Sequence, residues 1–248
     1  TRAGAAHTGE YPNLFVEAGY PRDVVDARIE AAFAQLFHGD PDSEAVYYEA
    51  GGNEHGPLAY IHDVNSDDVR SEGMSYGMMI AVQMDRKREF DAIWNWALTH
   101  MYHDDPGHPA YGYFAWSVRT DGTAIDEMPA PDGEEYFITA LYFASARWGD
   151  GEGRYDYRAH ADRLLHDVLH RESITGPTNR GEMTAVNLFD HDAKMVRFTP
   201  DVVNAAHTDA SYHLPAFYEI WARVGPEADR AFWREAAQAS RDYFVAAA

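Results

Sequence analysis

The 248-residue chain has no cysteine, which excludes disulfides, a thiolate nucleophile and a Cys-ligated zinc site. Long hydrophobic runs are missing too. The apolar stretch Met78-Met79-Ile80-Ala81-Val82 falls far short of the roughly 18 residues that cross a bilayer. Positive charge is scarce: 20 Lys and Arg stand against 41 Asp and Glu, a formal charge of -21. Such a balance argues against nucleic acid, anionic membrane surfaces and acidic polysaccharides, and leaves neutral substrates open. There is no Gly-rich phosphate loop, Gly-x-Ser-x-Gly elbow or dinucleotide fingerprint. The chain opens without a charged segment followed by an apolar one, so no secretion signal is visible and a cytoplasmic location is expected.

Hydrophobic residues make up 46% of the chain, enough for a globular fold with a substantial core, and residues 1–248 are expected to form a single domain. Aromatics are plentiful, with 6 Trp, 16 Tyr and 12 Phe. Besides filling a core, Trp and Tyr beside acids suit flat sugar rings, which need an apolar face and hydrogen bonds at the rim.

Periodicity predicts seven helices and little sheet. Pro21 opens the first, with Val25, Ile29, Ala32, Leu36 and Phe37 on one face and Gly39 as its stop. The second runs from about Glu72 to Gln83 and the third, with Phe90, Ile93, Trp94, Ala97, Leu98 and Met101 at helical spacing, from about Arg86. Pro131 to Gly149, Tyr157 to His170, 212–223 and Pro226 to about Phe244 supply the rest. Residues 1–20 read as irregular. Two short strands are expected around Val46-Tyr47-Tyr48 and Leu58-Ala59-Tyr60-Ile61, separated by Gly51-Gly52. Residues 103–131 read as a long functional loop with a strand-like piece at 111–117. Residues 171–207 read as loop, with a hairpin expected between Val186-Asn187-Leu188-Phe189 and Met195-Val196-Arg197-Phe198 around His191-Asp192. Neighbouring helices pair, so the fold class is all-α, built of stacked helical hairpins.

Asp67-Asp68-Val69-Arg70-Ser71-Glu72 runs directly into an apolar helix. Burial raises a carboxyl pKa and makes Glu72 a candidate proton donor. The helix N-terminus and Arg70 act in the opposite direction, so a second carboxylate or strong desolvation is required. The alternative is that Glu72 and Asp68 merely complement the helix dipole and pair with Arg70. Asp132 reads first as the N-cap of its helix, with Glu135 three residues on completing a capping box. A cap at a cavity mouth is also free to hold a ligand. His166 and His170 stand at i, i+4, but Asp167 takes the place of the glutamate that metalloproteases need, and no metal is expected. Carboxylates and aromatics on a helical scaffold are compatible with glycoside hydrolysis, which places two carboxyl groups about the scissile bond.

The run from Asp67 to Met79 resembles the proton-donor motif of glycoside hydrolase family 8. Ala130-Pro131-Asp132-Gly133-Glu134-Glu135-Tyr136-Phe137, continuing to Ala144 and Trp148, resembles that family's signature segment. Three further motifs, Tyr113-Phe114-Ala115-Trp116, Arg147-Trp148-Gly149-Asp150-Gly151 and Ser211-Tyr212-His213-Leu214-Pro215-Ala216-Phe217-Tyr218, are most similar to its reducing-end xylose-releasing exo-oligoxylanase branch. The resemblance implies an (α/α)6 barrel and inverting hydrolysis of β-1,4-linked xylo-oligosaccharides, with neither metal nor cofactor. Glu72 matches the general acid, and Asp132 the carboxylate that holds the sugar at the cleaved position. Tyr113 and Trp116 match an aromatic platform, and Tyr212 a tyrosine near the attacking water. Arg70 is expected among the substrate-binding residues. A nearby Asp132 would raise the Glu72 pKa by like-charge repulsion.

In the family the base is an aspartate beyond the region matching Ser240-Arg241-Asp242-Tyr243-Phe244, and about seven of the twelve barrel helices are found. The chain is therefore expected to be an incomplete barrel, the first two-thirds of an enzyme whose remainder lies elsewhere, since a true truncation would expose an apolar seam. Were it active as it stands, Asp132 or another of its acids would serve as base. The alternatives are an endo-acting family 8 glucanase, xylanase or chitosanase, and a non-catalytic saccharide-binding remnant.

Overall fold

The computed structural model describes Thr8 and residues 10–247. Packing divides the chain into two compact units, one ending at Tyr48 and one beginning at Glu49. In the first, α1 (Leu14–Glu17) is a single turn capped by Asn13, whose Oδ1 accepts the N–H groups of Phe15 and Val16. It falls within the stretch expected to be irregular. Pro21 precedes α2 (Arg22–His38), whose buried stripe is Val25, Phe33 and Phe37. The expected stripe is rotated: Ile29 and Leu36 are exposed, while Phe33 and Phe37 stack with ring centroids 4.3 Å apart.

Sheet is more extensive than periodicity predicts. Five strands, β1 (Tyr47–Asn53), β2 (Gly56–Asp63), β3 (Asp68–Arg70), β4 (Ser117–Val118) and β5 (Ala124–Asp126), are hydrogen-bonded in sequence order. The pairings β2–β3, β3–β4 and β4–β5 are antiparallel. Gly51 and Gly52 lie inside β1, and the turn falls at Glu54-His55. The fold is thus largely helical rather than all-α. Three of the strands are too short to show an alternating pattern, which is why the sequence conceals them.

The remaining helices are α3 (Ser71–Gln83), α4 (Lys87–His100), α5 (Pro131–Trp148), α6 (Tyr157–His170), α7 (Pro215–Val224) and α8 (Arg230–Ala247). They pack as the sequential pairs α3–α4, α5–α6 and α7–α8, and the pairs join through their first members, α3 on α5 and α5 on α7. The core between them is aromatic. Trp94, Trp96, Trp221 and Trp233 are fully buried, and the Trp221 indole N–H donates to Thr139 Oγ1 at 3.0 Å. A hairpin, β6 (Ile174–Thr178) and β7 (Gly181–Ala185), occupies sequence expected to be loop. The hairpin expected at 186–198 is reduced to a turn with one bridge, Phe189 to Val196. Among the described residues no helix is long and apolar enough to cross a membrane.

Two features fix the start of α3. Arg70 ends β3 opposite Ser117, and the Ser71 N–H donates to the Trp116 carbonyl at 3.0 Å. The second is Gly133, in the first turn of α5. A Cβ there would stand 2.5 Å from Ser71 Oγ and 3.1 Å from the Ser71 carbonyl carbon, so only glycine lets the two helix N-termini meet. Gly133→Ala is expected to cost about 1–3 kcal/mol by overpacking, partly offset by the better helix propensity of alanine. Urea unfolding of the two proteins measures the difference.

Candidate active site

Glu72 and Asp132 each occupy the second position of a helix, one on α3 and the other on α5, whose N-termini meet at Ser71 and Gly133. The Glu72 carboxyl accepts from Ser71 Oγ at 3.2 Å. Tyr76, one turn further along α3, donates its hydroxyl to Asp132 Oδ2 at 3.3 Å. The Glu72 pKa is raised from 4.5 to about 7, first by burial and then by the charge on Asp132. Local backbone and Ser71 hydrogen bonding and the Arg70 charge pull it down without prevailing. Asp132 is also raised by burial, against the Gly133 N–H and the Tyr76 hydroxyl, which favour its charged form. Two carboxyls that share a site divide their protons, and Glu72 keeps the proton longer.

Glu72 lines two cavities. The larger, about 360 Å³, is shared with Trp116, Asp126, Arg180, Phe198 and Tyr212. The smaller, about 290 Å³, is shared with Ile61, His62, Asp63, Arg70 and Tyr76. The Ser71–Trp116 backbone bond brings the Trp116 indole to the Glu72 end of α3. The Arg70 guanidinium lies 5.1 Å from the centre of that ring, a cation–π distance. Arg70 is otherwise engaged by Asp68 and Asp63, at 3.1 and 3.2 Å. Tyr212 stacks on Phe198 with centroids 5.4 Å apart. Its pKa is raised by burial and by the charges of Asp132 and Glu72.

Three expectations change. Tyr113 is no platform: it is fully buried, its hydroxyl donates to the Asp167 carbonyl at 3.0 Å, and Arg171 covers its ring at 4.3 Å. Asp132 is not the N-cap, which is Ala130 without a side-chain cap. Pro131 takes the first helical position, as its missing N–H favours, and Asp132 stands two positions inside the cap. The capping box is absent for the same reason. Glu135 points into the core instead and accepts the Tyr218 hydroxyl at 3.0 Å.

Its neighbour Glu134, also buried, accepts the Phe114 N–H at 2.7 Å and is raised to about 8 by burial. Glu134 and Glu135 hold protons as firmly as Glu72 but line neither cavity. Of the two helical histidines, His170 bonds Asp229 at 2.7 Å and His166 bonds Asp167 at 3.1 Å. Among the described residues no cluster of three or more His, Asp or Glu is arranged for a metal.

A family model for glycosyl hydrolases family 8 matches residues 56–241. The chain belongs to family 8. It is similar to the reducing-end xylose-releasing exo-oligoxylanase Rex8A of Paenibacillus barcinonensis, 46% identical over 98% of this chain and 59% of that protein. A reducing end xylose-releasing exo-oligoxylanase of Halalkalibacterium halodurans is 46% identical over 98% of this chain and 58% of its own length. A family 8 xylanase from Teredinibacter turnerae, a catalytic mutant in complex with xylohexaose, superposes with a TM-score of 0.96 at 67% identity. That match covers 98% of this chain and 62% of the xylanase. The chain thus spans about three-fifths of the length of these relatives.

The motifs that carry the family 8 resemblance deliver Glu72, Trp116 and Tyr212 to the larger cavity; Asp132 lines neither cavity and reaches the site through its charge on Glu72 and its bond to Tyr76. Asp126, Arg180 and Phe198 lie outside those motifs, and Tyr76 lies within the first without being singled out. Tyr76 was in plain view, one helical turn beyond Glu72. Arg180 comes from the turn Thr178-Asn179-Arg180-Gly181, whose composition signals a hairpin on its own.

A carboxyl moved from 4.5 to about 7 makes stability depend on pH. Between those values the folded chain holds a proton that the unfolded chain has lost, so stability falls as pH rises through the window. Glu72→Gln removes that cost. It is expected to match the parent near pH 4 and to exceed it by up to about 3 kcal/mol above pH 8. Asp132→Asn should shift the window downward. Denaturant unfolding across pH 4–9 measures both, and equal pH dependence in parent and Glu72→Gln would contradict the assignment.

Proposed function

We propose that this chain is the acid-bearing part of an inverting glycoside hydrolase acting on β-1,4-linked xylo-oligosaccharides. One observation carries the reading: a carboxyl at the junction of two cavities keeps its proton to about pH 7 beside a second carboxyl at a helix N-terminus. A general acid works best when its pKa lies near the operating pH. Glu72 then protonates the glycosidic oxygen as the bond breaks. Asp132, charged below the Glu72 midpoint, holds the sugar at the cleaved position and stabilises positive charge developing on its ring. Trp116 offers an apolar face to a sugar, with Arg70 behind it fixing the ring orientation, and Tyr212 sits near the attacking water. The family places the water-activating aspartate beyond the segment matching Ser240–Phe244. The helical pairs described here are, on this reading, part of an (α/α)6 barrel.

Release of xylose from the reducing end is supported by the exo-oligoxylanase relatives at 46% identity. A second reading, cleavage within longer xylan chains, is favoured by the 67% identity to a xylanase that holds a xylohexaose and by the two cavities that share Glu72 as a lining residue. Digestion of reducing-end-labelled xylohexaose separates them. Labelled xylose alone as the first product supports exo action, and labelled xylobiose or xylotriose supports the internal cut.

In the enzyme that contains this segment together with the base, Glu72→Gln is expected to lower turnover by about 10²–10⁴-fold while leaving xylotriose affinity nearly unchanged. The parent's kcat/KM should fall as pH rises past about 7, because the acid is then ionised. Proton NMR should detect the α-anomer first; a β-anomer formed first would exclude inversion.

A further inference from the structure

The β6–β7 hairpin is docked on the β5 segment by its tip. The Asn179 N–H donates to Glu127 Oε2 at 2.7 Å, and its side-chain amide donates to the carbonyls of Ala124 and Ile125 at 3.4 and 3.1 Å. Next to it, Arg180 Nη1 stands 3.1 Å from Asp126 Oδ2. The other Asp126 oxygen accepts the Met128 N–H at 3.2 Å. Arg180, Asp126, Met128 and Met183 all line the larger cavity with Glu72 and Trp116.

The ion pair is unequal. The Asp126 side chain is 9% exposed and that of Arg180 58%. The hydrogen bonds of Asn179 already fix the tip, so docking does not depend on the guanidinium alone. Among the described residues no other group bonds the guanidinium, which leaves four of its five N–H donors for whatever fills the cavity. Around it the cavity is acidic and apolar: Asp126, Asp201 and Glu72 stand beside Trp116, Met128 and Met183. This mixture disfavours an anionic ligand and suits hydroxyls over an apolar face.

We infer that Arg180 is a specificity-determining residue, its guanidinium held at the cavity wall by Asp126 to donate hydrogen bonds to the oxygens of a neutral sugar beside Glu72. The inference rests on the glycoside hydrolase reading above and adds the hairpin tip to the binding surface.

The test is calorimetric titration with xylotetraose in a Glu72→Gln background, which prevents turnover. Arg180→Ala is expected to weaken binding roughly tenfold to a hundredfold, the scale of a hydrogen bond to a charged group. Arg180→Lys, which keeps the charge and a donor, should recover part of the loss. The double change Asp126→Asn with Arg180→Ala should remain as weak as Arg180→Ala. Recovery in the double variant would overturn the inference, because the loss would then come from an unpaired Asp126. Parent-like affinity in Arg180→Ala would overturn it as well, while leaving the hydrolase reading intact. If the Glu72→Gln protein itself fails to bind millimolar xylotetraose, both fall together.

Discussion

The candidate site depends on one close approach, Ser71 against Gly133. Two helices cannot bring their N-termini together with a side chain between them, and a Cβ on Gly133 would overlap Ser71. With hydrogen there instead, the second residues of both helices converge, and those are Glu72 and Asp132. Each helix end brings partial positive charge, which makes the pairing of two carboxyls tolerable. Burial then decides which of them keeps its proton. Neither helix could supply this alone, and nothing in the local propensity of either requires it.

The elements around that contact divide the work. The β3–β4 pairing and the Ser71–Trp116 bond tie the Trp116 backbone to the start of α3. Asp68, buried under the same junction, accepts Ser117 Oγ at 2.8 Å and pairs with Arg70, which in turn lies against Trp116. Much of the remaining wall of the larger cavity comes from loops and a docked hairpin, Phe198, Asp201 and Arg180 among its residues. Shape and rim chemistry can therefore vary there without disturbing the carboxyl pair.

Much of this was legible in the sequence. All seven expected helices form, because long apolar periodicities with Pro at the start and Gly at the stop override weaker signals. Sheet was largely concealed, since β3, β4 and β5 are two or three residues long and no pattern of period two can be read from so few. Glu72 and its tension with the helix end were readable from local sequence, and its resolution by Asp132 needed the tertiary contact. Tyr113 misled because a motif reports that a residue recurs, not which way it faces. Gly112, at φ 85° and pressed against Asp167, turns that segment inward. Asp132 misled differently: its preference for caps lost to Pro131, which fits the first helical position better still.

Three glutamates, Glu72, Glu134 and Glu135, have raised pKa values, and only one is a credible acid. For Glu134, at about 8, burial outweighs its Phe114 partner, and the carboxyl lines neither cavity. A proton held there has nowhere to go. Glu72, at about 7, is a balance: burial and Asp132 raise it, while its hydrogen bonds and Arg70 lower it. A balance responds to what enters the cavity. On the proposed glycosidase reading, a sugar that displaced water beside Glu72 would strengthen both desolvation and the repulsion from Asp132, and the proton would be held more firmly. On that reading the same balance would let the proton leave as the glycosidic oxygen gained charge, since Ser71, the helix end and Arg70 already favour the carboxylate that remains. Glu134 and Glu135 also have partners that favour the ionised form, but with neither cavity lined by them the difference from Glu72 is one of access.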